Sequence, residues 1–229
     1  MLAEQRGVPL NTLRLKLVIE RLLARLFATQ DPPWLLKGGY AMELRYRPRA
    51  RTTRDIDLSC ATVGETALAI RLKAVREQLQ TAAAIDPGDY LTFLVEAPAT
   101  ELTGAPQGGA RFPCEVLLAG KMYGRFHIDV GFGDEMGSRP ETLVGEDLLS
   151  FAGIAPGQVL AISKAQQFAE KVHAYTFPWT NRTNTRAKDL VDLIILIEVG
   201  AVAATEAAAA VRATFLRRRS HESPKILPE

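Results

Sequence analysis

At 229 residues, 47% apolar and 24% charged, the chain has an ordinary globular balance. That excludes wholesale disorder, and a chain of this length can bury a core without disulfide or metal staples. Its 28 basic and 26 acidic residues leave a net charge of +2, which signals no polyanionic partner but leaves room for a local basic groove. The longest apolar run, Leu193–Ile197, is far short of a membrane span, and Met1–Asn11 lacks the apolar stretch of a signal peptide. A cytoplasmic protein without membrane contact is the expectation. Cys60 and Cys114 are too few and too far apart for a zinc ribbon or a disulfide framework, and read as buried free thiols.

Along the chain, Leu13, Leu17, Val18, Leu22 and Leu26 recur at helical spacing among charged residues, predicting an amphipathic helix from Asn11 to about Thr29. Pro32-Pro33 halts it, and Trp34–Leu36 reads as a short buried strand. Lys37-Gly38-Gly39 then turns the chain into a short helix over Tyr40–Tyr46. The stretch Arg45–Arg54 carries five arginines, and Asp55–Ser59 reads as a strand. A second amphipathic helix is predicted over Glu65–Ala84, followed by strands at Tyr90–Glu96, Phe112–Leu118 and Arg125–Val130. Gly131–Val159 mixes turns with short apolar pieces and has no clear assignment. Helices follow over Ser163–Tyr175, with Ser163 as a candidate cap, over Arg186–Val199 and over Ala203–Leu216. Arg217–Arg219 and the tail beyond read as frayed. The expected class is α/β (α+β), with a mixed-sheet core over residues 1–150 and a helical region over 151–229.

Asp55 and Asp57 lie at i and i+2 of the predicted strand, so both carboxylates would project from one face, roughly 7 Å apart at their Cα atoms. Such a pair suits a hard cation such as Mg²⁺, which takes carboxylate oxygens together with substrate phosphate oxygens. An isolated Asp-x-Asp is ordinarily just a solvated strand face. Gly38-Gly39, between a strand and a helix, is a geometry in which backbone N–H groups receive phosphate, although a lone Gly-Gly is usually a plain turn. Asp129 lies on another alternating strand. Were that strand beside the first, three carboxylates would converge and would need a cation to offset their repulsion. His127 shares its face with Asp129. The chain has no P-loop, no protein-kinase signature and no G-x-S-x-G elbow, and His127, His173 and His221 have no triad-like partners.

Leu36-Lys37-Gly38-Gly39-Tyr40-Ala41-Met42-Glu43-Leu44, followed by Arg51-Thr52-Thr53-Arg54-Asp55-Ile56-Asp57-Leu58, resembles the signature of the AbiEii/AbiGii family. These are MenT-like, nucleotidyltransferase-like toxins of bacterial type IV toxin–antitoxin and abortive-infection systems. Thr53 stands where the family more often has serine. Gln167-Phe168-Ala169-Glu170-Lys171 and Arg186-Ala187-Lys188-Asp189-Leu190-Val191-Asp192 resemble two later helical motifs, so the likeness runs from about residue 35 to 192. It implies a nucleotidyltransferase fold whose helical C-terminal region completes the active-site cleft. It also implies NTP and Mg²⁺ as cosubstrate and cofactor, a tRNA acceptor and a cognate antitoxin.

On that resemblance Asp55, Asp57 and Asp129 would hold metal, while Gly38, Gly39, Thr53, Gln167 and Lys171 would bind nucleotide. Asp55, Asp57, Lys171 and Asp189 would form the catalytic set. Helical spacing puts Gln167 and Lys171 on one face, and Asp189 can either orient the lysine or serve as base. Spacing leaves open whether Asp189 or Asp192 is central; the resemblance favours Asp189. The arginines of Arg45–Arg54 are candidates for holding an RNA backbone, with Arg217–Arg219 a weaker second. Three other readings stay open: a non-catalytic RNA- or protein-binding module, nucleotidyl transfer to a small molecule such as an aminoglycoside, and transfer to a protein hydroxyl. Thr53 is also a candidate phosphate acceptor.

Overall fold

Along Leu91–Val95 every second side chain is buried, and the same two-residue period builds a single eight-stranded sheet. The computed structural model describes residues 2–60, 67–102, 104–134, 139–179 and 184–223. In chain order the elements begin α1 (Leu2–Gln5), α2 (Leu10–Leu26), β1 (Trp34–Lys37), α3 (Gly38–Tyr46), β2 (Ile56–Cys60) and α4 (Leu68–Ala83). Five strands follow: β3 (Leu91–Val95), β4 (Thr100–Glu101), β5 (Gly109–Leu118), β6 (Lys121–Phe132) and β7 (Glu141–Val144). The chain continues with β8 (Gln158–Ala161), α5 (Lys164–Tyr175), α6 (Ala187–Glu198) and α7 (Ala204–Arg218). Glu65 and Thr66, where the second long helix was expected to begin, lie outside the described residues.

The sheet runs β3-β5-β6-β2-β1-β8-β7, with β4 added to β5. It is mixed, as expected: β2 pairs parallel with β6 and β1 parallel with β8, while the remaining pairs are antiparallel. β7 and β8 fall in the stretch whose periodicity was too short to read. β8 is hydrogen-bonded within the sheet, so the sheet runs across the expected boundary at residue 150. Ser163 does cap α5, its side chain accepting from the Gln166 N–H at 3.1 Å. α7 continues through Arg218 rather than fraying before it. Among the described residues no helix is long and apolar enough to cross a membrane, and both cysteines are buried.

The main core lies between the sheet and the helices α2 and α4, through Ile19, Leu22, Leu72, Leu79, Phe112 and Ile128. α5, α6 and α7 carry smaller clusters of their own: Ile195 and Leu196 of α6 pack with Met42 and Tyr46, and Ala165 and Ala169 of α5 pack with Ala210 of α7. One polar network sits inside the main core. Arg25, 1% exposed, spends all five N–H donors on the Asp89 carboxylate and the Arg21, Ile85 and Leu91 carbonyls, at 2.6–3.0 Å. Arg21 adds a bond to Asp89 at 2.7 Å. Burial alone would raise the Asp89 carboxyl, but the two guanidinium groups outweigh it and hold it below the usual carboxylate range.

This network pins α2 to the loop leading into β3, and removing one partner leaves a buried charge uncompensated. Asp89→Ala is therefore expected to cost about 3–5 kcal/mol in urea unfolding. Arg6→Ala, at the half-exposed Arg6–Glu146 pair, should cost less than about 1 kcal/mol.

Candidate active site

The β1–α3 junction begins the site. Gly38 has φ +65°, a left-handed conformation, and a Cβ at this position would lie 1.9 Å from Oδ2 of Asp57. Only glycine allows that approach, so the carboxylate rests against the backbone at the start of α3. The Gly38 carbonyl accepts a 2.6 Å bond from Nε2 of Gln167, whose amide oxygen takes a bond from Arg45. Gln167 is thus engaged at both ends with protein and acts on the site through Gly38. Gly39 is backed by Thr53 and Arg51, with the Thr53 hydroxyl 3.0 Å from where a Cβ would sit. The Thr53 N–H donates to Glu43 at 2.9 Å.

Parallel pairing of β2 with β6 puts Asp57 opposite Asp129, the adjacency that brings two carboxylates together. Asp129 accepts both arms of the Arg111 guanidinium, at 2.7 and 2.8 Å. Asp57 has no such partner among the described residues. Burial, aided by Asp129 and Asp55 and opposed by Lys37 and Lys171, pushes its carboxyl up to about 6. Asp55 precedes β2 instead of lying on it, 3.6 Å from Nδ1 of His127, and lines a different cleft. Three converging carboxylates were expected, but among the described residues no three His, Cys, Asp or Glu side chains are gathered closely enough to hold a metal. The reason is local: the chain is not yet in the strand at Asp55, so the i and i+2 side chains do not share a face. Two carboxylates with substrate phosphate oxygens are still a normal donor set for Mg²⁺, and the free Asp57 carboxylate beside Asp129 fits it.

Above this pair a cleft of about 490 Å³ is walled by the start of α3 and by α5, α6 and α7. Lys171, 7% exposed, is held by Asp189 at 3.1 Å and Asp192 at 2.6 Å. Asp189 lines the cleft and also meets Arg186 at 3.2 Å. Asp192 is fully buried; its Oδ2 meets Lys171 and Arg51, while its Oδ1 has no hydrogen-bond partner among the described residues. Both acids therefore position the lysine, Asp189 from the cleft side and Asp192 from beneath.

Several lining groups escaped the sequence reading. Lys37, directly before Gly38-Gly39, pairs with Asp134 and lies 3.9 Å from Glu170. Burial opposes its charge, but those two carboxylates outweigh burial and hold the ammonium above the usual lysine value. Arg218, from the segment expected to fray, reaches Asp134 at 2.6 Å, and Arg217 bonds the Gly133 carbonyl at 2.9 Å. Position next to the glycines was a usable signal for Lys37. Arg218 was expected only as part of a weaker RNA-backbone candidate, and nothing in its sequence position tied it to this cleft.

The basic stretch is dispersed rather than pooled. Arg45 is tied to Glu141 and Gln167, Arg47 to Glu146, and Arg51 to Asp192. The site thus combines a two-carboxylate floor, a glycine turn and lysine and arginine walls, a fit for a polyphosphate with a divalent cation.

The sequence matches the family model "Nucleotidyl transferase AbiEii toxin, Type IV TA system" over residues 21–229, and the chain belongs to that family of nucleotidyltransferase enzymes. Its fold is similar to that of MenT4, the nucleotidyltransferase toxin Rv2826c of Mycobacterium tuberculosis H37Rv. That match has TM-score 0.53 and 15% identity and covers 91% of this chain and 84% of the other. JHP933 from Helicobacter pylori matches with TM-score 0.52 and 12% identity, covering 92% and 81%. An antigenic nucleotidyltransferase-like protein from Paracoccidioides brasiliensis matches with TM-score 0.50 and 17% identity, covering 90% and 89%. No curated protein sequence is significantly similar to this one.

A carboxyl raised to about 6 binds its proton more tightly folded than unfolded, so ionising it works against folding. That cost is absent below the ordinary aspartate pKa, grows between about 4 and 6, and is complete above 6. Asp57→Asn should therefore stabilise the metal-free protein at pH 7.5 by on the order of 2 kcal/mol, or roughly 4–8 °C in Tm. The advantage should vanish in melting curves recorded near pH 4.

Proposed function

We propose that this AbiEii-family nucleotidyltransferase transfers NMP from an NTP to the 3′ end of tRNA in the cytoplasm. Such a product would be blocked for aminoacylation, and a cognate antitoxin would hold the activity in check. The observation that carries the reading is Asp57: a carboxylate free of ion pairs among the described residues, pressed against Gly38 and flanked by Asp129, at the floor of a cleft whose lysines and arginines are each held by a carboxylate.

Asp57 and Asp129 are the residues that would hold Mg²⁺, which when bound would neutralise phosphate charge as a Lewis acid. Gly38 and Gly39 let the triphosphate approach the backbone at the start of α3. Lys171, held by Asp189 and Asp192, meets phosphate oxygens as a compact charge, and Lys37 and Arg218 add to the same wall. Thr53 and Gln167 keep the two glycines in place. The 3′ hydroxyl oxygen attacks the α-phosphorus, pyrophosphate departs, and the hydroxyl proton passes to a carboxylate of the Asp57–Asp129 pair.

The test incubates purified protein with Mg²⁺, each labelled NTP in turn and total tRNA. Label is expected at tRNA 3′ ends for a preferred nucleotide, falling by at least about a hundredfold in Asp57→Ala. Absence of label, in a preparation shown by intact mass to be unmodified at Thr53, would remove tRNA as the acceptor.

A further inference from the structure

A second cleft, of about 770 Å³, is lined by Asp55, two residues before Asp57. Its walls are the first turns of α2, with Arg14, and the Tyr123–His127 stretch of β6; Thr52, Arg54 and Asp55 form the connecting edge. It shares no lining residue with the first cleft, yet Asp55 of the one and Asp57 of the other lie only two residues apart. The volume falls within the range of about 300–1,000 Å³ that suits a small ligand or one end of a larger one.

The chemistry of this cleft differs from that of its neighbour. There the lysines and arginines are already matched by carboxylates. Here Arg14 and Arg54 are exposed and, among the described residues, neither has an ion-pair partner. The Arg14 guanidinium lies 5.9 Å from the Tyr123 ring centroid. Arg125 is paired with Glu115 at 2.5 Å, so the two free guanidinium groups dominate the field. Free guanidinium forks recognise phosphates, and an aromatic ring capped by arginine stacks with a base whatever its identity. Asp55, with His127 3.6 Å away, is the acid of the cleft, and it stands at the end nearest Asp57.

We infer that this cleft is the acceptor subsite, holding the single-stranded end of an RNA so that its terminal hydroxyl arrives at the Asp57–Asp129 pair. The inference rests on the nucleotidyltransferase reading above and adds to it a place for the acceptor. In-line displacement needs the attacking hydroxyl to come from outside the space that the triphosphate fills, and a second cleft that begins two residues from Asp57 supplies that approach. Of the five arginines in the basic stretch, only Arg54 lines this cleft; the other contacts come from α2 and β6.

The test measures fluorescence anisotropy of a labelled single-stranded oligoribonucleotide of about twelve nucleotides, with NTP affinity recorded on the same preparations. Arg14→Glu/Arg54→Glu should weaken RNA binding by at least about tenfold and reduce the slope of log K against log salt by roughly 1.4, the value for two phosphate contacts on a single strand. NTP affinity should be unchanged, and Tyr123→Leu should weaken RNA binding by about fivefold or more. Lys73→Glu/Arg212→Glu, an equal charge change on exposed residues outside the cleft, should leave most of the RNA affinity intact. RNA binding absent from the unaltered protein, unchanged in Arg14→Glu/Arg54→Glu, or equally reduced by the control pair overturns the acceptor cleft. An unaltered protein that binds RNA but no NTP instead overturns the nucleotidyltransferase reading and leaves the RNA cleft standing.

Discussion

The contact between the Gly38 backbone and the Asp57 carboxylate is the constraint on which the rest of the site depends. A left-handed glycine at the end of β1 lets α3 start immediately, and the space a Cβ would take is filled by a carboxylate from the neighbouring strand. Antiparallel pairing of β1 with β2 sets Lys37 opposite Asp57, and parallel pairing of β2 with β6 sets Asp129 on the other side. Three adjacent strands thus deliver a cation, a carboxylate and a second carboxylate in one row. Gln167 then ties α5 to the same point through the Gly38 carbonyl.

Charge is handled unevenly across this row, and the unevenness is informative. Lys171, Lys37, Arg218 and Asp129 are all matched by opposite charges inside the protein. Those pairings limit the desolvation cost of a buried ionic site and hold each side chain in one orientation. Asp57 is the exception, a carboxylate whose proton affinity is lifted because burial is not balanced by a direct partner. A group kept in that state at a cost to stability is characteristic of a functional position. The same contrast separates the two clefts: one has internally neutralised cations, the other exposes free guanidinium groups.

The helices after β8 contribute more than cover. α5 carries Lys171, α6 carries the two acids that hold it, and the end of α7 brings Arg217 and Arg218 against the loop after β6. Their mutual packing is built on small residues, Ala165 and Ala169 against Ala210, which lets α5 and α7 approach closely. The site is therefore shared between the strands β1, β2 and β6 and a helical group far from them in sequence.

Local pattern by itself determined most of the elements: apolar spacing marked α2, α5, α6 and α7, alternation marked β3, β5 and β6, and Ser163 was readable as a cap. Residue type and order also singled out Gly38 and Asp57, because a glycine turn and an acidic pair carry their chemistry within a few residues, whereas Lys171 and Asp189 stood out through the family resemblance. Tertiary structure alone decided the rest. β7 and β8 are four residues each, too short for a period to show. Asp55 looked equivalent to Asp57, yet the strand starts one residue later and sends the two into different clefts. Of the arginines that looked like one basic patch, Arg45, Arg47 and Arg51 were drawn apart by the carboxylates they found, while Arg54 lines the second cleft. Arg218 and Arg14 took their places through contacts between distant segments, and no spacing along the chain encodes such a contact, because folding brings them together through the packing of whole helices against the sheet.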